Sequence, residues 1–368
     1  MKYYLVVGER SGDLHASNLM KALKNLDTKA EFRFFGGEQM QAIGGTMVKH
    51  YQEMAVMGFW EVIKNLKKIA SLLKFCKQDI LSFKPDVVIL VDFAGFNMRI
   101  AKFCKQNRIK NFYYISPKVW AWNTQRALKI KQNVDRMFVI FPFEKDFYKQ
   151  FGYEVDFVGN PLLDAIKAFE KNPNFFRENQ LSENQPIVAL LPGSRRAEVE
   201  NVLPLMLSVK KFFPDFQWIV AGVENLQKSL YQICTDLGVK VLYNQTYDLL
   251  SYAHAAIVTS GTATLETALF GVPQVVCYKT SNFSYQIAKR LIKVPFISLV
   301  NLVMDKKVVA ELIQKDLHEE SLKRELQKII SGNDREQMLE DYKLLQKKMG
   351  TAGASETAAQ KMWEYLNT

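Results

Sequence analysis

Residues 84–97 read KPDVVILVDFAGFN and contain the pattern that decides the fold. The five consecutive apolar residues 87–91 follow a proline and are succeeded by Asp92 and a small-residue turn. An apolar run of this length between turn residues is typical of a strand buried on both faces of a parallel sheet. Parallel strands need long connections, usually helices, so the segment predicts an α/β fold.

The same alternation of short apolar runs and longer stretches of helical period recurs along the chain and restarts once. Strands are predicted at 3–7, 32–35, 87–91, 111–115, 136–139 and 155–158, and again at 187–191, 217–220, 239–243, 255–258 and 274–278. The polar stretch 168–185 between the two series has the composition of a domain linker. We therefore expect two α/β domains, 1–168 and 169–352, with ligands bound in a cleft beyond the carboxyl ends of the strands.

The composition of the 368 residues excludes several classes of protein. Hydrophobic residues make up 48% and charged residues 24%, which is usual for a globular protein and excludes extended disorder. Lys+Arg 49 against Asp+Glu 38 gives a net charge of +11, which favours nucleic acid, phosphorylated metabolites or acidic lipid as partners. We expect no secretory signal and no spanning helix, because no window approaches about 18 apolar residues. The scattered cysteines are expected to pack in cores as free thiols: Cys76, Cys104, Cys234 and Cys277.

A glycine-bearing turn, GERSGDLH at 8–15, follows the first predicted strand. Its glycines are too far apart for the G-x-G-x-x-G fingerprint, so a nicotinamide enzyme is not expected. Ser11 and Asp13 either cap the following helix or line the cleft beside Gly12. His15 lies one turn inside the helix and faces the cleft if the turn does.

Two further segments follow strands and carry candidate site residues. Asp92 stands where a buried strand emerges between apolar neighbours, which would raise its pKa toward that of a general base; the alternative is a helix cap. Asn97 is either a turn residue or part of the site. Trp120 and Trp122 are two positions apart and cannot share a helix face, so they either line a pocket from a loop or pack in the core.

The segment LLPGSRRAEVE at 190–200 is the most specific local pattern and opens the first helix of the second series. Gly193, Ser194 and Arg195 combine small residues, a hydroxyl and a guanidinium at a helix start, which is the composition of a phosphate site. The segment lacks the G-x-x-x-x-G-K-[ST] spacing of a P-loop, so no ATPase or kinase is expected.

A similar helix start, TSGTATLE at 259–266, follows a later strand. Its small and hydroxyl residues Ser260, Gly261 and Thr262 would bind a second phosphate, and two such sites fit a diphosphate. Glu266 would accept hydrogen bonds from a ribose diol; the alternatives are a capping partner or a solvated face.

Residues 54–77 have an apolar helical stripe that any helix docked on a core would show. Large apolar residues also fall outside the stripe, among lysines, which is the composition of a helix in a membrane interface. We therefore expect contact with an anionic membrane or acyl chains from this segment, through Met57, Phe59, Trp60, Leu72, Phe75, Lys64, Lys67 and Lys68.

These motifs, spread from residue 8 to residue 302, together resemble the lipid-A-disaccharide synthases, inverting glycosyltransferases of family 19. The matching residues are Gly8-Glu9 with Ser11-Gly12-Asp13, Val91-Asp92 with Phe96-Asn97, Ser116-Pro117 with Val119-Trp120-Ala121-Trp122, Pro142-Phe143-Glu144, Phe157-Val158-Gly159, Leu190–Arg195 with Glu198 and Glu200, Ser260–Ala263 with Glu266, and Asn301-Leu302.

The resemblance implies a GT-B fold, in which two Rossmann-like domains face each other across a cleft. It implies an N-terminal acceptor and lipid domain, a C-terminal UDP-sugar domain, and a last helix, 353–368, that packs back on the first domain. The implied reaction transfers 2,3-diacylglucosamine from UDP-2,3-diacylglucosamine to 2,3-diacylglucosamine 1-phosphate. The products are the β-1,6-linked lipid A disaccharide 1-phosphate and UDP. Glu9 and Asn301 become candidate site residues through this match.

The resemblance also implies that Asp92 deprotonates the acceptor hydroxyl and that neither a metal nor a cofactor is needed. The expected location is cytoplasmic, on the inner face of the inner membrane; no nucleic-acid partner is expected. Gly95 departs from members with a second aspartate, and His15 from members with an aliphatic residue. The alternatives are a MurG-type transferase, a UDP-N-acetylglucosamine 2-epimerase, or a non-catalytic membrane-docked sensor of nucleotide sugars. The oligomeric state is not indicated.

Overall fold

The computed structural model describes residues 1–54, 66–281, 285–286, 290 and 294–368. These residues form two compact units. The first contains Met1–Lys167 together with Gly350–Thr368, and the second contains Ala168–Met349.

The described residues of the first unit build a parallel sheet of seven strands in the order β3-β2-β1-β4-β5-β6-β7. The strands are β1 Lys2–Val6, β2 Glu31–Gly36, β3 Thr46–His50, β4 Val87–Val91, β5 Asn111–Tyr114, β6 Arg136–Val139 and β7 Asp156–Phe157. The helices are α1 Arg10–Leu26, α2 Glu38–Ile43, α3 Tyr51–Met54, α4 Leu66–Phe83, α5 Ala94–Gln106, α6 Val119–Trp122, α7 Arg126–Asn133, α8 Phe143–Lys149 and α9 Pro161–Ala168.

The described residues of the second unit build a parallel sheet of six strands in the order β10-β9-β8-β11-β12-β13. The strands are β8 Ile187–Leu191, β9 Gln217–Gly222, β10 Lys240–Tyr243, β11 Ala253–Thr259, β12 Gln274–Tyr278 and β13 Ala310–Ile313. The helices are α10 Phe175–Glu178, α11 Arg196–Ser208, α12 Gln232–Asp236, α13 Thr246–Tyr252, α14 Thr262–Leu269, α15 Leu299–Met304, α16 Glu319–Ile330 and α17 Asn333–Met349.

The strands at the sheet centres are buried throughout, as their apolar runs predict. All five residues of β4 and all five of β8 are inaccessible to solvent or nearly so. Two strands were not predicted, β3 and β13, and both lie at the edge of a sheet. Their residues are mostly half-buried, so they lack the apolar run by which the central strands are recognised.

The strand order reverses between β1 and β4 in the first sheet and between β8 and β11 in the second. At such a point the connections on either side leave on opposite faces, and a crevice opens beyond the carboxyl ends of the two strands. The loops that follow β1, β4, β8 and β11 are therefore the places to search for a site in each unit.

The last helix, α18 Ala354–Asn367, belongs to the first unit. Its residues Ala358, Ala359 and Met362 are fully buried in one apolar cluster with Ala16 and Leu19 of α1. The backbone N–H of Gly353, before the helix, donates to the carboxylate of Asp164. The final helix is thus an integral part of the core that carries α1.

Helix α4 covers the described part of the segment predicted to contact a membrane. Residues 55–65 lie outside the described residues, and with them the predictions for Met57, Phe59, Trp60 and Lys64. Lys67 and Lys68 are exposed, and 39% of Phe75 is accessible. Leu72 differs from its prediction, because it is half-buried and packs against the core beside Cys76.

No helix among the described residues is both long enough and apolar enough to cross a membrane. The four cysteines are buried free thiols, as predicted.

Candidate active site

The first candidate residues lie where β1 and β4 end side by side. Val6 of β1 pairs with Leu90 of β4, so the turns that begin at Gly8 and Asp92 are neighbours. A Cβ atom on Gly8 would lie 2.3 Å from the ring of Phe93. Only glycine therefore allows the two turns to approach this closely.

The backbone leaves β4 in an uncommon conformation. Asp92 and Phe93 have φ angles of 46° and 49°, in the left-handed region that glycine favours. After the adjacent strand β5, Ile115 has a φ of 64°, which is rarer still for a β-branched residue. Such residues cost on the order of 1–3 kcal/mol each and cluster at functional sites. Strain at two neighbouring strand ends thus supports a site at this edge.

The side chain of Asn97 stabilises the backbone conformation at the end of β4 through hydrogen bonds. Its side chain is fully buried, and its amide nitrogen donates to the carbonyl oxygens of Val6 at 3.2 Å, Val91 at 3.2 Å and Asp92 at 2.9 Å. The hydroxyl of Tyr113 also donates to the Asp92 carbonyl. Asn97 was predicted as a turn or cleft residue; its hydrogen bonds give it the role of a positioning residue.

The environment of Asp92 raises the pKa of its carboxyl group. Burial is the largest cause, and the negative charge of Glu9 adds to it. The positive charge of Lys118 and the backbone N–H of Phe93 act in the opposite direction, but more weakly. A carboxylate with a raised pKa is a stronger proton acceptor than an ordinary aspartate, as a general base requires.

The two acidic residues of the first turn have different positions. Glu9 is exposed at the start of α1, next to the exposed Ser11. Asp13 is buried, and its carboxylate accepts backbone N–H bonds at the start of α2, from Gly37 at 2.7 Å, Gln39 at 3.1 Å and Met40 at 3.3 Å. Asp13 thus caps α2 rather than its own helix, and its oxygens are occupied by protein.

His15 is held neutral by its surroundings. Burial lowers the pKa of its imidazole to about 4, so the ring carries no charge at neutral pH. Its Nδ1 is buried without a hydrogen-bond partner within the described residues.

Trp120 packs in the protein rather than lining a pocket. It is 6% exposed, its indole N–H donates to Glu144 at 3.2 Å, and its ring meets Phe143 edge-on at 5.0 Å. The pocket interpretation of this loop is therefore wrong for Trp120. The side chain of Trp122 lies outside what the structure describes.

Glu144 is a buried carboxyl group that was quoted in the family match but not predicted as a site residue. It accepts backbone N–H bonds from Ile140 at 3.2 Å and Phe141 at 3.0 Å, besides the bond from Trp120. Complete burial raises the pKa of Glu144 to about 7 in spite of these bonds. Its contacts connect the loops that follow β5 and β6.

In the second unit, the loop after β8 carries the first predicted phosphate site. Gly193 has a φ of 107°, and a Cβ atom there would lie 2.3 Å from Glu198 Oε2. That oxygen accepts the backbone N–H groups of Ser194 at 3.0 Å and Arg195 at 3.2 Å. The amides predicted to bind a phosphate are thus occupied by a carboxylate of the same chain. A carboxylate at this place is consistent with the affinity of a helix start for negative charge, and the phosphate site stays a prediction.

Arg195 extends from this loop into solvent. Its side chain is 81% exposed and bonds Glu198 Oε1 through one nitrogen at 3.2 Å. The next residue, Arg196, pairs with Glu200 at 2.7 Å. The two neighbouring arginines therefore differ in environment, and only Arg195 belongs to the Glu198 cluster.

The loop after β11 carries the second predicted phosphate site, beside the first because Val258 pairs with Leu191. Gly261 and Thr262 are exposed at the start of α14, and the space around the Gly261 Cα is open. The Ser260 hydroxyl donates to the carbonyl of Ile297 at 2.9 Å. Of the two helix starts, this one presents the more open surface to an anion.

Glu266 lies one turn into α14, as predicted. Its carboxylate accepts the hydroxyl proton of Tyr247 at 3.0 Å, and burial raises its pKa. The capping alternative does not apply, because no backbone N–H donates to Glu266 among the described contacts. Glu266 remains a candidate for a diol contact.

Asn301 was predicted to line the cleft and is instead completely buried. Its Oδ1 accepts the N–H groups of Val308 at 2.7 Å and Val309 at 2.9 Å, and its Nδ2 donates to Val309 and Glu311. Glu311 in turn accepts the N–H of Ile297 at 3.0 Å. Asn301 thus shapes the segment whose carbonyl holds Ser260, and acts as a positioning residue.

Within the described ranges, no group of three or more His, Cys, Asp and Glu side chains is arranged to hold a metal ion.

Comparison with known proteins identifies the family. The family model described as lipid-A-disaccharide synthetase matches residues 3–363. This chain belongs to the lipid-A-disaccharide synthetase family. The lipid-A-disaccharide synthase of Syntrophus aciditrophicus (strain SB) is 40% identical over 364 residues, which cover 96% of this chain and 95% of the relative. That of Geobacter sulfurreducens is 36% identical over 98% of this chain and 96% of the relative. The predicted family and its glycosyltransferase activity in lipid A disaccharide synthesis are therefore confirmed.

Solved structures agree on the architecture. A glycosyltransferase of kitacinnamycin aligns with a TM-score of 0.69 at 12% identity over 99% of both chains. A UDP-GlcNAc 2-epimerase from Neisseria meningitidis, bound to UDP-GlcNAc, aligns with a TM-score of 0.67 at 14% identity over 99% of this chain and 100% of that one. At these identities the likeness shows the fold alone, which is the predicted two-domain Rossmann-like GT-B fold.

The opposing charges beside Asp92 predict opposite shifts of its pKa. Glu9→Gln removes a negative neighbour and should lower the pKa of Asp92, whereas Lys118→Gln removes a positive one and should raise it. Carboxyl NMR titration of protein with carbon-13-labelled aspartate measures both, with the Asp92 signal assigned from Asp92→Asn. Shifts in the same direction in both variants would contradict the electrostatic description of this site.

Proposed function

We propose that this chain transfers 2,3-diacylglucosamine from UDP-2,3-diacylglucosamine to the 6-hydroxyl of 2,3-diacylglucosamine 1-phosphate, with inversion at the anomeric carbon. The assignment of the reacting group rests on the position and the environment of Asp92. It combines a strained strand end at the reversal of strand order with a pKa raised by burial. Family membership supplies the coarser statement, a UDP-sugar donor and a lipid-linked acceptor.

The proposed chemical step is a single displacement. The Asp92 carboxylate accepts the proton of the acceptor 6-hydroxyl as its oxygen attacks the donor anomeric carbon from the face opposite UDP. The new carbon–oxygen bond forms while the bond to the diphosphate breaks, and UDP leaves with the electron pair. The proton on Asp92 passes to solvent after the product departs. A positioned general base typically contributes a factor of about 10²–10⁴ to such a step.

The donor diphosphate is assigned to the second unit. The exposed start of α14 at Gly261 and Thr262 offers helix N–H groups to one phosphate. The exposed guanidinium of Arg195 supplies a positive charge for the other. Because Glu198 occupies the amides of Ser194 and Arg195, a phosphate can reach them only if that carboxylate moves away. Glu266 is assigned to the ribose diol.

The acyl chains of both substrates are assigned to the membrane interface beside α4. The exposed side of α4 carries Lys67, Lys68 and Lys74 together with the ring of Phe75. Lysines near an anionic leaflet contribute about 1 kcal/mol each, and an exposed aromatic ring adds burial in the interface. This supports a peripheral location on the inner face of the inner membrane.

Asp92→Asn should lower turnover at least about a hundredfold with folding intact, since the amide keeps the shape and cannot accept the proton. Mass spectrometry of the disaccharide formed from the two diacylglucosamine substrates measures it. Asp86→Asn is a matched control, because Asp86 precedes the same strand at its other end and bonds the backbone of Lys2. Near-normal turnover of Asp92→Asn would reassign the base, and a parent that makes no disaccharide would refute the proposed reaction.

Arg195→Ala and Glu266→Ala should each weaken UDP binding about tenfold or more, because a hydrogen bond to a charged group contributes about 1.5–3 kcal/mol. Isothermal titration calorimetry with UDP measures the affinities. Arg196→Ala is the control for Arg195, since its guanidinium is committed to Glu200. Unchanged affinity in both test variants would remove the nucleotide from these two helix starts.

Replacement of Trp60 and Phe75 together by serine should release the chain from phosphatidylglycerol vesicles, while UDP affinity stays unchanged. Leu72 is kept, because it packs against the core. A control variant replaces two other exposed apolar residues, Leu128 and Leu237, which are 42% and 45% exposed. Cosedimentation with the vesicles measures the binding. Equal binding by both double variants would place lipid entry elsewhere.

A further inference from the structure

A cavity of about 600 Å³ lies at the amino-terminal ends of β5 and β6, lined in part by Lys110 and Arg136. Asp92 follows the carboxyl end of the neighbouring β4. Because the strands are parallel, the cavity lies at their amino-terminal ends and Asp92 at their carboxyl-terminal ends. The two are separated by the length of a strand, roughly 15 Å. The cavity is therefore not part of the candidate active site.

The side chains that line the cavity carry a net positive charge. Four of its lining side chains are basic, namely Lys105, Arg108, Lys110 and Arg136, against one carboxylate, Asp135. Asp135 is already committed, because it pairs with Lys105 at 2.7 Å and accepts the N–H of Asn111 at 3.0 Å. Within the described ranges no carboxylate lies within 4.0 Å of the charged groups of Arg108, Lys110 or Arg136.

Arg108 stands at a position where arginine is unfavourable for the backbone. It follows the end of α5 with a φ of 58°, and the N–H of Ile109 closes the helix end by donating to Cys104 at 2.9 Å. Glycine is the usual residue at this place in a helix end, because a side chain costs on the order of 1 kcal/mol there. The guanidinium is thus present in spite of a cost to the fold.

Tyr365 of α18 orders two of the other cations. The Arg136 guanidinium lies 4.1 Å from the centre of its ring, and Lys110 donates to its carbonyl at 3.1 Å. A guanidinium stacked on a ring keeps its in-plane N–H groups available for a second partner. Ile109, Phe112 and Tyr365 add apolar and aromatic surface to the lining.

We propose that this cavity is a second binding site, separate from the active site, for a dissolved organic phosphate. Its volume falls in the range of small-molecule sites, about 300–1,000 Å³. Arginine pairs bind phosphate through bidentate hydrogen bonds, and the aromatic surface suits a ring or another apolar group on the ligand. The ligand joins α18 to the edge of the sheet.

A lipid headgroup is the less suitable source of the phosphate. Helix α4 ends at Phe83, close before β4 begins at Val87, so its amino end, with Lys67 and Lys68, lies toward the edge that carries Asp92. A membrane that contacts those lysines therefore lies at the carboxyl-terminal ends of the strands, whereas the cavity lies at their amino-terminal ends. The cavity therefore opens away from the surface to which the acyl chains are assigned.

Calorimetric titration of the full chain with phenyl phosphate, in the presence of saturating UDP, tests the site. The parent should bind phenyl phosphate more tightly than inorganic phosphate. Arg108→Gly combined with Arg136→Gln should weaken phenyl phosphate binding at least tenfold. The glycine suits the left-handed backbone, so the melting temperature should not fall because of that change. The control Lys102→Gln with Lys129→Gln removes two exposed charges from the same unit and should change the affinity less than twofold.

Several outcomes overturn the proposal. Equal affinity in parent and Arg108→Gly/Arg136→Gln protein, or an equal loss in the lysine control, excludes a defined site. Binding that is seen in a parallel titration without UDP but is lost at saturating UDP assigns the phosphate to the donor site instead. A tenfold loss of phosphatidylglycerol vesicle binding in the arginine variant, with phenyl phosphate affinity unchanged, assigns the cavity to a membrane.

Discussion

The side-chain amide of Asn97 joins three backbone carbonyls at the ends of β1 and β4, and the geometry of the first unit's site depends on it. The strand order reverses there, and the chain leaves the two paired strands into separate turns. A buried carbonyl without a partner costs about 1–3 kcal/mol. By bonding the carbonyls of Val91 and Asp92, Asn97 also stabilises the left-handed backbone conformation of Asp92. The turn that carries the proposed base is thus supported by a buried amide.

In the second unit, backbone polar groups at a strand end are satisfied by a charged side chain rather than by an amide. Its first helix start is closed by a carboxylate of its own, Glu198, and its second is held by Ser260 through a segment that Asn301 and Glu311 organise. An empty array of N–H groups would be poorly satisfied, so an internal anion stabilises the free protein. Under the proposed assignment, an incoming diphosphate would displace the Glu198 carboxylate at the first turn, whereas the second turn is already open.

The sequence predicts the central strands of each sheet but only one of its two edge strands, β7 in the first sheet and β10 in the second. Continuous apolar runs mark β4 and β8 because both faces of those strands are buried. Edge strands β3 and β13 are mostly half-buried, so no run distinguishes them from loops. Asp92 is predicted as the base from its place after a buried run, which is a local property.

The roles of other site residues depend on partners that are distant in the chain. Asp13 bonds the N–H of Gly37, 24 residues away, and Trp120 bonds Glu144, also 24 residues away. No spacing rule within one helix or turn connects such pairs, so the sequence predicts which residues are candidates for polar contacts but not their partners. Asn301 shows the same limit at shorter range, since its bonds to the Val308 and Val309 amides require the intervening turn.

The buried carboxyl group of Glu144 makes folding of the first unit a proton-binding reaction. Its pKa is about 7 in the folded chain, against an ordinary value of 4.5. Between these two pH values the folded state holds a proton that the unfolded chain releases. The resulting stabilisation is complete below the lower value and is lost as the pH rises through the upper one. Near neutrality this carboxyl is therefore divided between its two forms. The loops it joins, after β5 and β6, are bound most firmly in mildly acidic solution.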